Sequence, residues 1–197
     1  MEKKNDNIES QSKYGHKMID ELMNALLKCL RRHDGEIYNI KNAEILRLCD
    51  ITQAAFEYYY KDPEGIVDEI YQIIGNVFSD LEQEMTDVSD TGMLLTILFE
   101  RLGKLTAALE IISILGEIEI WKTSRSFLRR IAKNWNQKDE KTWEYVFDNF
   151  CFQFGTILRK WSEEGYSSAA IPECVRLVEV WIDVDGMISD AISLKSA

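Results

Sequence analysis

The chain has 197 residues, of which 46% are hydrophobic and only two are proline, and its formal net charge is −11. This length allows one domain, or a small domain joined to a larger one, and the scarcity of helix breakers favours long helices. The first residues lack the apolar core of a signal peptide, and no run of about 18 apolar residues is present to cross a bilayer. These features argue against a membrane protein and predict an all-α chain in the cytoplasm.

A first long helix is predicted to follow a polar arm. Residues 1–12 are polar and are expected to be disordered. Apolar residues then recur with the spacing of one buried helical stripe, which comprises Met18, Leu22, Ala25, Leu26, Cys29 and Leu30. Arg31 and Arg32 near the end of this stripe, with Gly35 after it, are typical of a helix C-terminus.

The segment from Ile40 to Ile66 predicts two short helices separated by a tight turn at residues 49–51. Thr52 has a side-chain oxygen that can cap the second helix. The residues expected to face inward are Ala43, Leu46 and Leu48 in the first helix, and Ala55, Phe56 and Tyr59 in the second. A helix as short as the second cannot form a core of its own. It is suited to being held against a scaffold and laid into a DNA groove, as in helix-turn-helix proteins.

Helical patterns continue through the rest of the chain. Asp62, Pro63 and Glu64 are typical of a helix start, and that helix is expected to extend to about Met85. Further helices are predicted over residues 93–102 and 105–115, and within 117–135 with open boundaries.

The last two predicted helices leave two packing arrangements open. One covers residues 141–163, and the other begins near Pro172. Doubled across a two-fold axis they would form a four-helix interface, and the alternative is ordinary packing inside one subunit. Gly155, inside a helix, suggests a close approach of two helices. The residues predicted for the interface are Phe154, Gly155, Leu158, Trp161, Val178 and Trp181.

The segment from Ile40 onward resembles the DNA-binding segment of the tetracycline-repressor (TetR) family of bacterial regulators. The matching positions are Ile40, Ile45, Cys49, Asp50-Ile51-Thr52, Phe56, Tyr60 and Glu64, without a gap. The run from Phe154 to Gly165 resembles the late helix of the family's effector domain, and the helix start at Ile171-Pro172-Glu173 is similar too. The resemblance implies a three-helix DNA-binding domain in residues 1–62, an effector-binding and dimerisation domain in residues 63–197, and a homodimer.

The resemblance also implies roles for individual residues. The second short helix would enter the major groove of a palindromic double-stranded DNA operator, whose base edges would be faced by Thr52, Gln53 and Ala55. Contacts to phosphates would come from Lys41, Tyr58, Tyr59 and Lys61. A small-molecule effector of unknown identity would bind among the middle helices. Aromatic walls for its pocket are available in Tyr71, Phe99, Trp121 and Phe147, for which plain core packing is the alternative.

The distribution of charge leaves a second function open. Residues 1–62 carry a net charge of −1 and residues 63–197 carry −10. Asp50, Glu57 and Pro63 stand where the family commonly has a turn glycine, a phosphate-contacting tyrosine and a lysine. Asp50 is expected to adopt the left-handed backbone that such a turn uses. The alternative to a DNA-binding repressor is therefore a TetR-like adaptor or co-regulator that has lost DNA binding and acts through a basic protein partner.

Motifs for metal binding or catalysis are missing from the sequence. Cys29, Cys49, Cys151 and Cys174 form no CxxC pair and are expected to be small buried residues, with a thiol switch as the alternative. Neither histidine has a ligand partner at metal spacing, and no nucleophile with a base or glycine-rich phosphate loop is present. We therefore expect no cofactor, no metal and no enzymatic activity.

Overall fold

The computed structural model describes residues 5–116, 124–132 and 140–193. In this part of the chain the regular structure is helical and no strand occurs, which confirms the all-α prediction. The helices are α1 (Asn5–Arg32), α2 (Asn42–Leu46), α3 (Gln53–Tyr59), α4 (Pro63–Glu84), α5 (Thr91–Leu102), α6 (Thr106–Leu115), α7 (Arg125–Ile131), α8 (Glu140–Glu163) and α9 (Ile171–Ser193). None of the helices described here is both long and apolar enough to cross a membrane.

The first helix is longer than the sequence predicts. α1 begins at Asn5, so residues 5–12 are helical where a disordered arm is expected. These residues contain neither proline nor glycine, so nothing in them forces the chain to leave the helix. The buried stripe of α1 is confirmed for Leu22, Ala25, Leu26, Cys29 and Leu30, whereas Met18 at its start is half-buried. Its C-terminus is closed by Gly35, which has a φ of +84° and whose N–H donates to the Leu30 carbonyl at 2.9 Å.

Contacts divide the chain into two compact units. The first comprises the described residues up to Tyr71 together with Ala107–Gly116, and the second comprises the other described residues. The sequence predicts a DNA-binding domain up to residue 62 and an effector domain after it. That division by function stays a prediction. In the first unit, Arg31 of α1 pairs with Glu110 of α6 at 2.6 Å. This unit holds the two short helices that are expected to bind DNA.

The inward face of α2 differs from the predicted one. Ile45 is fully buried, Leu46 and Leu48 are half-buried, and Ala43 is exposed. α2 has only five residues, so it can turn one side chain fully inward. Burying the larger Ile45 removes more apolar surface from water than burying Ala43 would.

The second unit is built around α9, which packs against α5 and α8. Aromatic rings fill the space between its helices. Phe99 of α5 lies 5.9 Å from Phe154 and 5.3 Å from Trp161, both on α8, measured between ring centroids. Phe78 of α4 lies 5.7 Å from Phe127 of α7. Residues from the longest apolar stripes of the sequence thus pack against each other inside this unit.

Arg130 of α7 closes the C-terminal end of α4 in the second unit. Its guanidinium donates to the carbonyls of Glu82, Met85 and Val88, at 3.1 Å for Glu82 and 2.9 Å for Val88. The Glu82 carbonyl is among the last of α4, which have no partner within the helix, so this long-range cation satisfies it and complements the helix dipole. Sequence reasoning missed this contact because the residues are more than 40 positions apart.

Candidate nucleic-acid interface

α3 is held at both ends and by one buried side chain. Thr52 is its N-cap, as predicted, and accepts a hydrogen bond from the Ala55 N–H at 3.2 Å. Phe56 is fully buried. Beyond the C-terminus, Asn42 of α2 donates to the carbonyl of Lys61 at 2.7 Å, where the chain turns with a φ of +63°. These contacts fix α3 and leave its other faces open.

The turn between α2 and α3 differs from the expectation for Asp50. In the described chain, the non-glycine residues with positive φ are Asp34, Lys61 and Tyr166, so Asp50 does not adopt the left-handed conformation. The turn is closed instead by the Leu48 N–H, which donates to the Ile45 carbonyl at 2.9 Å. A tight bond of this kind ends the short helix without needing a positive φ.

The residues predicted to bind DNA lie together around α3. Those that are exposed are Lys41, Thr52, Gln53, Tyr58, Tyr59 and Lys61, and Ala55 is half-buried. Tyr59, which its spacing places on the inward face, is 63% exposed, so that part of the prediction is wrong. Tyr60 is the half-buried aromatic instead, and its ring centroid lies 6.0 Å from that of Phe56. Phe56 and Tyr60 are four positions apart and share one face of the helix.

The exposed side of α3 carries a pair that sequence reasoning missed. The side-chain amide of Gln53 donates from Nε2 to Oε1 of Glu57 at 2.6 Å. Their four-residue spacing on a predicted helix was the available signal, because side chains at i and i+4 are neighbours. The predicted base-contacting glutamine is therefore oriented by an acid.

The electrostatic character of this region is mixed. Between Lys41 and Glu64 the chain carries three cations and five acids. Lys41, Arg47 and Lys61 are all exposed and can approach phosphates. The field they create is weak, so any DNA affinity has to come from close contacts and is expected to fall with salt.

A hydrogen bond between His33 and Glu44 ties the end of α1 to α2. Nε2 of His33 and Oε2 of Glu44 are 2.9 Å apart, and Oε1 of Glu44 accepts the Lys41 N–H at 3.2 Å. The bond with His33 is the main reason that the pKa of Glu44 is below its usual value, followed by the bond from Lys41. The first helix of the turn motif is thus joined to α1 by an ionisable contact.

This contact predicts a pH dependence. A carboxyl whose pKa is lowered by folding contributes stability that is present above its unfolded pKa and is lost as the pH falls through its folded pKa. We expect the free energy of unfolding to decrease in that acidic window and Glu44→Gln to reduce this dependence. Denaturant unfolding monitored by circular dichroism from neutral to acidic pH would measure it. His33→Ala should flatten the same window, and a double variant that shows the two effects as fully additive would contradict a direct coupling.

The residues predicted for an effector pocket differ in burial where the structure describes them. Phe99 and Phe147 are buried core residues, Tyr71 is half-buried and belongs to the first unit, and Trp121 lies outside the described residues. The second unit has a different apolar cavity, too narrow to hold a water molecule, with Leu98 and Phe127 in its lining. Phe99 and Phe147 do not line it. Core packing is therefore the structural role of both.

Most of the residues predicted for the dimer interface are buried within a single chain. Phe154, Leu158, Trp161 and Val178 are buried, whereas Gly155 and Trp181 are half-buried. Inside the second unit α9 packs against α8 and α5, and Phe154 and Trp161 contact Phe99 of α5, as the alternative of packing within one subunit expects. Among the α8 and α9 residues whose burial the structure describes, the large apolar ones that stay exposed are Tyr145, Phe152 and Val180.

The four cysteines, all of which the structure describes, form no disulfide. Cys29, Cys151 and Cys174 are buried and Cys49 is half-buried. Burial raises the pKa of Cys29 and Cys49, and that of Cys174 to about 11, which keeps these thiols protonated and unreactive. No group of three potential metal ligands occurs among the residues that the structure describes.

No known protein family, curated protein or solved structure matches the chain. The chemistry of the region around α3 therefore has to be inferred from its own side chains. It offers an amide, a carboxylate, two phenols and ammonium groups on exposed residues of one short segment. Such groups suit the polar edges and phosphates of a nucleic acid, or a polar protein surface.

Proposed function

We propose that the chain is a ligand-responsive DNA-binding regulator of transcription, a cytoplasmic repressor that reads a palindromic operator as a homodimer. The observation that carries this proposal is the exposure of α3. This seven-residue helix has one fully buried side chain, so it contributes little to a core. A short helix that is capped, anchored and otherwise open is suited to the major groove. The resemblance of its sequence to the TetR family supports the same function.

The contacts in this proposal follow the exposed residues of the segment. Gln53 and Thr52 would reach base edges, and Ala55 would touch a thymine methyl group from a half-buried position. Phosphates would be contacted by Lys41, Tyr58, Tyr59 and Lys61. Lys61 is held by Asn42, so this cation has a fixed backbone position next to the end of α3.

The homodimer is proposed to form through the exposed apolar side chains of α8 and α9. Tyr145 and Phe152 are seven positions apart on α8, which places them on one face, and they are 71% and 54% exposed. Val180 on α9 is 44% exposed. Aromatic residues are enriched in protein interfaces, and two of them on one exposed helix face support a contact there. This face replaces the buried residues predicted from the sequence.

Phe152→Glu is therefore expected to separate the dimer. A two-fold axis introduces the charge twice, and about 2 kcal/mol lost per side chain would raise the dimer dissociation constant roughly a thousandfold. Light scattering after size-exclusion chromatography would show the 22.9 kDa chain mass instead of twice that mass. Tyr38→Glu, which places the same charge on an exposed aromatic residue outside α8 and α9, should remain dimeric. A Phe152→Glu protein that stays dimeric would exclude this face.

The effector is proposed to bind in the second unit. The narrow cavity there has an apolar lining that includes Phe78, Leu98 and Phe127, and Ser124 is its polar member. An apolar small molecule is the class that such walls accept. Because the cavity is too narrow for water, its side chains would have to move apart, and this movement would couple binding to the helices.

The second candidate function is an adaptor that binds a basic protein. It is favoured by the exposed aromatic residues Tyr38, Tyr58 and Tyr59 in a region where acids outnumber cations. Tyrosine is enriched in protein interfaces, and acidic side chains complement a basic partner. The two functions differ in what α3 contacts.

Fluorescence anisotropy distinguishes these functions. The full chain is titrated into labelled DNA from upstream of its own coding region and into an unrelated duplex, each at two salt concentrations. The regulator predicts a preference for the first duplex and an affinity that falls with salt. Gln53→Ala should weaken that preference, whereas Glu36→Gln should leave it unchanged. Equal or absent binding to both duplexes at micromolar protein would overturn DNA reading and favour the adaptor.

A further inference from the structure

Gln53 and Glu57 form a ready-made polar pair on α3. Their hydrogen bond is 2.6 Å long, and both side chains are exposed. Glu57 forms no ion pair with any cation in the described part of the chain. A carboxylate accepts at both oxygens and a primary amide has two hydrogens to donate, so each partner keeps capacity after bonding the other.

This pair offers an acceptor and a donor next to each other. In the major groove, a cytosine edge presents the N4 amino donor, and its paired guanine presents the O6 and N7 acceptors. Adenine, guanine and thymine each place an acceptor atom in the groove, which repels a carboxylate. Cytosine alone presents only a donor there. The combination of Glu57 and Gln53 therefore complements a cytosine–guanine pair.

Resting on the proposed function, we infer that Glu57 is a specificity-determining residue that selects a cytosine–guanine pair at one position of each operator half-site. Glu57 accepts a hydrogen bond from the cytosine N4 amino group, and Gln53 donates to guanine O6. The bond between the two side chains holds them in register before DNA arrives, which reduces the ordering cost of binding.

The same carboxylate weakens binding to DNA that lacks the matching base pair. Close to phosphates or to a base that offers an acceptor, an unpaired charge on Glu57 is repelled and loses hydration without compensation. Discrimination by such an unfavourable contact is a common source of specificity. Glu57 thus lowers affinity for unrelated sequences while it permits binding to the matching pair.

The test is selection of binding sites from a random duplex library by the full chain. The proteins compared are the wild type, Glu57→Gln, Gln53→Ala and, as a matched control, Glu36→Gln. Glu36 is exposed and lies outside α3, so its variant makes the same change of charge elsewhere. Because both target side chains are exposed, each variant is expected to unfold at the wild-type temperature.

The wild type and Glu36→Gln are expected to enrich a palindrome with a cytosine–guanine pair at one fixed position of each half-site. Glu57→Gln should lower the preference for that pair about tenfold or more, in favour of adenine, which glutamine binds through two hydrogen bonds. Its affinity for unrelated duplexes should rise severalfold. Gln53→Ala should weaken the preference at the same position.

Three outcomes would overturn the inference. In the first, Glu57→Gln enriches the same sites with the same preference as the wild type. In the second, the two variants change the preference at different positions, which would show that the side chains do not read one base pair together. In the third, the wild type enriches no sequence, and this result would overturn the proposed DNA-binding function itself, whereas the first two would leave that function standing.

Discussion

Gly65→Ala is expected to destabilise the first unit strongly. Gly65 lies in the first turn of α4, and a Cβ atom placed on it would clash with the carbonyl oxygen of Tyr60. The obstacle is backbone at the end of α3, which cannot rotate away as a side chain can. Overpacking of this kind costs about 3 kcal/mol, at the upper end of its usual range. Denaturant unfolding followed by circular dichroism would measure the loss, and under the proposed function DNA affinity should fall with it.

Gly92→Ala provides the matched control. Gly92 lies in the first turn of α5, but a Cβ there would meet a carboxylate oxygen of Glu179 at 3.0 Å, which is the flexible end of a side chain. That oxygen can move, and replacing glycine by alanine within a helix is favourable by roughly 0.5–1 kcal/mol. We therefore expect Gly92→Ala to be neutral or slightly stabilising. Equal losses for both variants would mean that α3 and α4 do not approach as closely as the clash at Gly65 indicates.

The close approach at Gly65 also shows what the sequence could predict. The start of α4 was readable because its signals are local: Pro63 occupies the first position, and Asp62 accepts a hydrogen bond from the Gly65 N–H at 3.0 Å. The need for a glycine at position 65 could not be predicted from the sequence. It depends on where the α3 backbone ends, which is set by Lys61 and its contact with Asn42, 19 positions earlier.

Short helices were harder to orient than long ones. The stripe of α1 repeats over several turns, so its buried face was predicted correctly. α2 and α3 have five and seven residues, and one or two side chains decide which way each helix faces. In α2 the choice between Ala43 and Ile45 was decided by the surrounding packing. The pair of Gln53 and Glu57 could have been found from spacing alone, once α3 was taken as helical.

The sequence predicts that the long apolar stripes of the second half form helices. It does not predict which apolar residues of those helices are buried inside the subunit. Packing with α5 covers Phe154 and Trp161, while Phe152 stays at the surface. The choice depends on the position of α5, roughly 50 residues earlier in the chain, and periodicity contains no information about it.

Trp161→Ala is expected to have the largest effect in the second unit. The Trp161 side chain is 1% exposed, and its ring lies 5.3 Å from the rings of both Phe99 and Tyr166. A Cβ built on Gly103 would be 3.2 Å from this ring, so the site is filled closely on that side as well. Truncating a buried tryptophan to alanine costs about 3–5 kcal/mol, because the cavity left behind cannot collapse completely.

The indole also makes a hydrogen bond, and a second variant separates the two contributions. Nε1 of Trp161 donates to the Ser167 carbonyl at 2.9 Å, which closes the chain after α8. Trp161→Phe keeps an aromatic ring but removes this donor, so it should cost only about 1–3 kcal/mol through the lost hydrogen bond and the smaller ring. The Ser167 carbonyl keeps its bond from the Ala170 N–H at 3.1 Å. Unfolding in denaturant, followed by circular dichroism, should give the wild type the largest free energy of unfolding, Trp161→Phe a smaller one and Trp161→Ala the smallest. If both variants lost the same stability, the hydrogen bond rather than ring packing would be the main contribution of Trp161, and the aromatic cluster would matter less to this unit than its burial indicates.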